Sequence, residues 1–232
     1  MKIAGYEKLS LQDFPSHISC IIFTQGCNFK CPFCQNSTLI PFDSEQLTSE
    51  QEILNYLKLR KKIINGLTIS GGEPTLQPDL KEFIAKVKQI GVDIKLDTNG
   101  TNYTLLKELI ERKLVDYVAM DIKNVWNKYA NTSGISDIKI QNIENSINLL
   151  KRNLVDYEFR TTVMNEYHSL QDILEIIKLI GNSKYYIQNF RNSECVLDKN
   201  LTELTDEKLI LWNQVLKHYT NVSIRGLKKE DF

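Results

Sequence analysis

Cys27, Cys31 and Cys34 lie within eight consecutive residues in the spacing C-x3-C-x2-C. They follow directly on the apolar run Ile18-Ser19-Cys20-Ile21-Ile22-Phe23, which reads as a buried strand. Three thiolates on one loop can bind three irons of an iron–sulfur cubane, the usual protein ligands of such clusters. The fourth iron then has no protein ligand and is open to a chelating molecule. Phe33, just before the third cysteine, would shield one face of the cube. A structural zinc site asks for four ligands, commonly as paired C-x2-C units. Here the fourth nearby thiol, Cys20, falls inside the strand, and no second C-x2-C occurs. The reading therefore favours a cluster over zinc. An odd total of five cysteines, four of them within fifteen residues and with no export signal, argues against a disulfide framework.

The balance of charge removes several partner classes. Lys plus Arg and Asp plus Glu are each 29 in 232 residues, so no net charge draws the chain onto nucleic acid or a membrane surface. No apolar run approaches the ~20 residues of a membrane span, and the first residues do not resemble a signal peptide. The expectation is a cytoplasmic protein without nucleic-acid or membrane partners, folded as a single domain over 1–232 with a core at about 18–190 and a C-terminal extension from 191.

From residue 18 onward, short apolar strands alternate with amphipathic helices. Strands are expected at 18–23, 67–70, 93–96, 117–122, 157–163 and 185–190, with a last short one at 222–224. Helices are expected at 49–61, 79–90, 103–113, 138–151, 170–180 and 206–219, and a loop at about 123–136. Ser49 with Glu52 has the form of a capping box, and Gly91 should stop the second helix. Strand–helix alternation at this spacing implies parallel βαβ units with right-handed crossovers. Six units are too few for a full eight-unit barrel, so the fold expected is α/β, a partial (βα)6 barrel with an N-terminal strand or hairpin before it.

Further motifs sit where such strands end. Gly71-Gly72-Glu73-Pro74 follows the second strand; it is either a plain turn or a place where backbone approaches a ligand closely. Asp97-Thr98-Asn99-Gly100 ends the third strand and Asp121-Ile122-Lys123 the fourth. Each can be an ordinary turn or a surface lysine, but the C-terminal ends of parallel barrel strands face the active site. Arg160 interrupts an apolar strand and calls for a carboxylate in the core or an anionic ligand. His168 and His218 read as packing or surface residues, and Cys195 as a thiol without a role.

Taken in order, these motifs resemble the radical S-adenosylmethionine (SAM) superfamily, from the N-terminal segment to Phe190. The resemblance implies a [4Fe–4S] cluster on Cys27, Cys31 and Cys34, with SAM on its open iron. It implies that Gly71, Gly72 and Glu73 form the loop receiving the SAM amino group. Phe33, Asp97, Thr98, Asn99, Asp121, Arg160 and Gln188 would complete the cofactor site, with Asp121 and Lys123 in catalytic positions. D-T-N-G and D-x-K resemble the glycyl-radical enzyme activases, in which the two aspartates and the threonine would hold a monovalent cation. The segments Lys8-Leu9-Ser10-Leu11-Gln12-Asp13-Phe14-Pro15-Ser16 and Ile21-Ile22-Phe23-Thr24-Gln25-Gly26-Cys27-Asn28 are similar to activating proteins of anaerobic ribonucleoside-triphosphate reductase. That implies reductive cleavage of SAM to methionine and a 5′-deoxyadenosyl radical, a glycine Cα of a partner enzyme as hydrogen donor, and a flavodoxin- or ferredoxin-type electron donor. The alternatives are an activase of another glycyl-radical enzyme, such as pyruvate formate-lyase, or a radical SAM enzyme acting on a small molecule.

Overall fold

A computed structural model describes residues 1–43 and 48–225. Eight strands form one sheet in the hydrogen-bonded order β1-β2-β3-β4-β5-β6-β7-β8. They are β1 (Ile3–Ser10), β2 (Ser19–Thr24), β3 (Gly66–Gly71), β4 (Asp93–Thr98), β5 (Tyr117–Asp121), β6 (Asp156–Val163), β7 (Tyr185–Asn189) and β8 (Val222–Arg225). The helices are α1 (Glu50–Arg60), α2 (Leu80–Ile90), α3 (Tyr103–Glu111), α4 (Trp126–Ser133), α5 (Ile140–Leu150), α6 (Leu170–Ile180) and α7 (Asp206–Leu216). The sheet is mostly parallel: β1 pairs antiparallel with β2, while the β2–β3, β3–β4, β6–β7 and β7–β8 ladders are parallel. Hydrogen bonds do not close it, since β1 and β8 are its two ends. This is the α/β partial-barrel arrangement that the strand–helix alternation implies, with β1 as the added N-terminal strand.

The chain divides into two compact units. One holds Met1–Asn28, Thr38–Ala119 and Lys139–Tyr157; the other holds Phe29–Ser37, Met120–Ile138 and the chain from Glu158 on. The core of the first is built from strand residues such as Ile22, Leu67, Ile69, Ile94 and Leu96 against Ile53, Leu57, Phe83 and Ile84 of α1 and α2, all fully buried. In the second, Phe159, Ile187 and Phe190 are buried, and so are Ile173, Ile176 and Ile180 of α6. Each such side chain contributes about 1.5–3 kcal/mol by leaving water.

Two local readings need correction. Ser49 does cap α1, accepting from the Glu52 amide at 3.1 Å, but the Glu52 carboxylate bonds the Tyr6 hydroxyl instead of returning to the cap. The reciprocal capping box is at α6, between Ser169 and Asp172. The second correction is α4, which occupies part of the expected loop. Its N-cap, Val125, has no side-chain cap, and its first turn carries no acid. Its sequence, Trp-Asn-Lys-Tyr-Ala-Asn-Thr-Ser, has only Lys128 and Ala130 as good helix formers among residues of weak propensity.

Candidate active site on the cysteine loop

The cysteine loop leaves β2 at Thr24. Its first part is clamped within the first compact unit: Gly26 N–H donates to Leu39 O at 2.7 Å and Cys27 N–H to Ile40 O at 3.0 Å. Gly71 ends β3 opposite Thr24. Beyond it, Gly72 N–H donates to Thr24 O at 2.9 Å and Glu73 N–H to Gly26 O at 2.8 Å. The fit is so close that a Cβ on Gly72 would stand 2.1 Å from Gly26 O. Gly-Gly is therefore required by backbone packed on backbone, directly beside the start of the cysteine loop.

Glu73 is buried and fully engaged. Its carboxylate accepts from Thr75 N at 3.1 Å, Thr75 Oγ1 at 2.5 Å, Thr98 Oγ1 at 2.7 Å and Asn99 N at 2.7 Å. Burial raises its pKa while these four donors pull it back down. The glutamate thus ties the Gly-Gly turn to the D-T-N-G turn. Asn99 continues the tie, its amide donating to Asn28 Oδ1 at 2.8 Å, next to Cys27. Asp97 accepts from Ser70 Oγ at 3.0 Å and is paired with Lys95, a lysine only 2% exposed. Neither Lys95 nor Ser70 was foreseen from the sequence. The signal for Lys95 was its i, i+2 relation to Asp97, which puts both side chains on one face of a strand.

In the second unit, Cys31 is buried and Cys34 half-buried, and Cys34 N–H donates to Cys31 O at 3.0 Å. Burial pushes the Cys31 thiol up to about 11 and raises that of Cys34. Asp121 gathers two cations at the end of β5: Lys123 Nζ at 2.9 Å and Arg160 Nε at 3.0 Å. Its carboxylate is set deep among protein atoms, yet 31% of the side chain stays open. Burial alone would raise its pKa; Lys123 and then Arg160 outweigh that and hold it well below the carboxylate range. Lys123 is raised correspondingly, chiefly by Asp121 working against its own burial. Lys123 is thus no solvated surface lysine: its side chain is 16% exposed, and its ammonium lies 5.9 Å from the Phe33 ring centroid. Arg160 has the core carboxylate that its strand position asked for, and that partner is itself a candidate site residue.

Gln188 lies on β7 and lines an open cleft of about 510 Å³ with Arg191, Thr205 and Arg225. His168 is a packing residue, buried with Nε2 2.8 Å from Lys123 O. Cys20 is buried in β2, its thiol pushed up to about 12 by burial. Cys195 is less isolated than its sequence context implied. Residues 191–198 are laced to the cysteine loop by Gln35 to Arg191 O, Ser37 to Cys195 O and Asp198 N–H to Pro32 O, and Cys195 lies within electrostatic reach of Cys34.

The donor set fits an iron–sulfur cluster. The three thiols share one loop and none of them is in a disulfide. Among the described residues, no group of three or more Cys, His, Asp or Glu converges to hold a single metal ion. Also among the described residues, no helix is long and apolar enough to cross a membrane.

Fold and loop together define an α/β enzyme class in which a partial barrel carries a three-cysteine loop after its first parallel strand. Comparison with known proteins agrees. The sequence model of the Radical SAM superfamily matches residues 21–180. A protein of Methanocaldococcus jannaschii, whose name provisionally makes it a glycyl-radical enzyme activating enzyme, is 36% identical over 97% of this chain and 96% of its own length. The pyruvate formate-lyase-activating enzyme of Clostridium pasteurianum is 33% identical over 53% of each chain. Among solved structures, Streptococcus suis SuiB bound to SAM superposes with a TM-score of 0.70 at 14% identity, over 87% of this chain and 48% of that one. The chain belongs to the radical SAM superfamily and, within it, to the glycyl-radical enzyme activating enzymes. It is an enzyme of the kind that generates radicals by cleaving SAM, and the family implies a [4Fe–4S] cluster and SAM as its cofactors.

Proposed function

We propose that this chain, working as one domain, generates a glycyl radical on an anaerobic ribonucleotide reductase, with Cys27, Cys31 and Cys34 as the ligands of its [4Fe–4S] cluster. The observation that carries the reading is the seat described above, in which the Gly-Gly turn lies backbone to backbone against the residue before Cys27. The similarity of segments 8–16 and 21–28 to reductase activating proteins supports the choice of partner. Once loaded and reduced by a flavodoxin- or ferredoxin-type donor, the cluster would supply the electron that splits the SAM sulfonium, giving a radical able to take a hydrogen atom from a glycine Cα.

The protein's own groups bind, orient and balance charge. Backbone carbonyls of the turn at Gly71 and Gly72 would accept from the SAM ammonium. Lys123 and Arg160, preorganised on Asp121, would face the carboxylate end, where fixed charges act without reorganisation. Glu73, Thr98 and Asn99 hold the two turns in place. A monovalent cation on Asp97, Thr98 and Asp121 would share their oxygens with groups already there: Lys95 on Asp97, Glu73 accepting from Thr98, and Lys123 and Arg160 on Asp121. Either that cation or the side-chain cations themselves would supply the positive charge. Phe33 lies under Lys123 and would screen the cluster, and Gln188 would contribute from β7.

The test is anaerobic reconstitution followed by mixing with SAM, reductant and the candidate reductase. An EPR doublet from a glycyl radical on the reductase supports the assignment. Its appearance only on a different glycyl-radical enzyme, or turnover of a small molecule instead, would replace the partner named here.

A further inference from the structure

We infer that the Tyr129 hydroxyl donates a hydrogen bond to sulfur at the Cys31 corner of the cluster, which makes it a residue that tunes the cluster's reduction potential. The inference rests on the cluster reading above and concerns a residue that no motif marks. Tyr129 lies on α4, the helix that the sequence did not announce, and α4 is fastened to the cysteine loop at several points. Lys30 N–H donates to Ser133 O at 2.9 Å. Gly134 caps the helix with φ +70°, and a Cβ there would stand 2.1 Å from Lys30 O. The Phe29 ring meets the Tyr129 ring edge-on at 6.4 Å, and the Trp126 ring packs on it at 5.5 Å. The two loop residues that α4 grips, Phe29 and Lys30, come immediately before Cys31.

This packing holds the phenol fully buried, and among the described residues its oxygen has no hydrogen-bond partner. The Lys123 backbone approaches the oxygen without the geometry of a proper bond. A buried hydroxyl left unbonded is destabilising, and native proteins rarely keep one without a use for it. The charged groups that act electrostatically on this phenol are the Lys123 ammonium, the Cys31 sulfur and the Asp121 carboxylate. Asp121 is already engaged by Lys123 and Arg160, and Lys123 is itself a donor. That leaves the Cys31 end of the cluster as the acceptor still to be supplied. Hydrogen bonds to cluster sulfurs are among the levers that set cluster potentials. A donor there stabilises the more negative, reduced state and so raises the potential.

The experiment compares reconstituted wild type with Tyr129→Phe by EPR-monitored redox titration. In the variant, the midpoint should move to lower potential while iron and sulfide content and SAM affinity stay at wild-type values. The apo variant should unfold no earlier than wild type, because the substitution deletes an unbonded polar atom. Site-specific 3-fluorotyrosine at position 129, a stronger donor of nearly the same shape, should move the midpoint upward. An unchanged midpoint in both variants would mean that the phenol bonds a buried water, and overturns the inference. So would a change in SAM affinity at constant midpoint, which would make Tyr129 a prop for Lys123. A wild type that binds no cluster is a separate result, visible in its iron content, and overturns the cluster reading along with the inference.

Discussion

Single residues here carry chemistry that is easy to separate from folding. Cys31→Ala should leave the unfolding transition of the apo protein in place and abolish iron uptake, read as iron per chain after anaerobic reconstitution; wild-type SAM cleavage by that variant would refute the cluster assignment. Asp121→Ala should behave differently. It strands Lys123 and Arg160 without their carboxylate, which costs on the order of 3 kcal/mol, and it should weaken SAM binding more than iron uptake. Equal loss of both would argue that Asp121 only supports the fold. His168 adds a pH effect. Burial is the main cause that lowers its pKa to about 4 from 6.5. Between those values the unfolded chain binds a proton that the folded chain refuses. Stability is therefore fully present above pH 6.5 and declines by roughly 3 kcal/mol as the pH falls to about 4. Urea unfolding of wild type and His168→Gln from pH 7 to 4 should show the gap between them shrinking as the pH falls.

At the scale of elements, turns and strand ends set the site. Gly72→Ala would drive a methyl group into Gly26 O. It should reduce SAM affinity at least tenfold, with a lower melting temperature, in an equilibrium-binding measurement on reconstituted protein. The strands and most helices were legible because apolar period and caps agree, as in α2, whose Leu80, Phe83, Ile84 and Val87 are buried as their spacing requires. The cysteine loop and the Gly-Gly turn were legible for another reason, since few uses exist for such residues at such spacing. What could not be read was tertiary. α4 is held by contacts to Phe29 and Lys30 that local sequence does not encode. Lys95 is polar in a strand buried on both faces, and its place makes sense only beside Asp97. Glu73 reads as a ligand in its motif, and the sequence does not show that its carboxylate also ties the Gly-Gly turn to Thr98 and Asn99. The sheet's ends are guarded as exposed strands usually are: β1 carries register shifts between Ile3 and Gly5 and between Glu7 and Ser10, and β8 has four residues among those described.

Over the whole molecule, charge is balanced, with 29 cations and 29 anions, and several of the pairs lie close to the candidate site. If Lys95, Lys123 and Arg160 supply the positive charge there, SAM affinity should be the same in potassium, sodium and tetramethylammonium buffers of equal ionic strength. Removing the tethered charge by Lys95→Met should introduce a preference for small alkali ions; a wild type that already shows that preference would restore the bound cation. The linear order of the sheet has a mechanical consequence. Among the described residues its first and last strands share no ladder bonds, so drawing them apart ruptures no strand pairing seen there. A ring of strands has no such seam, and could swallow a segment of another polypeptide only by tearing itself.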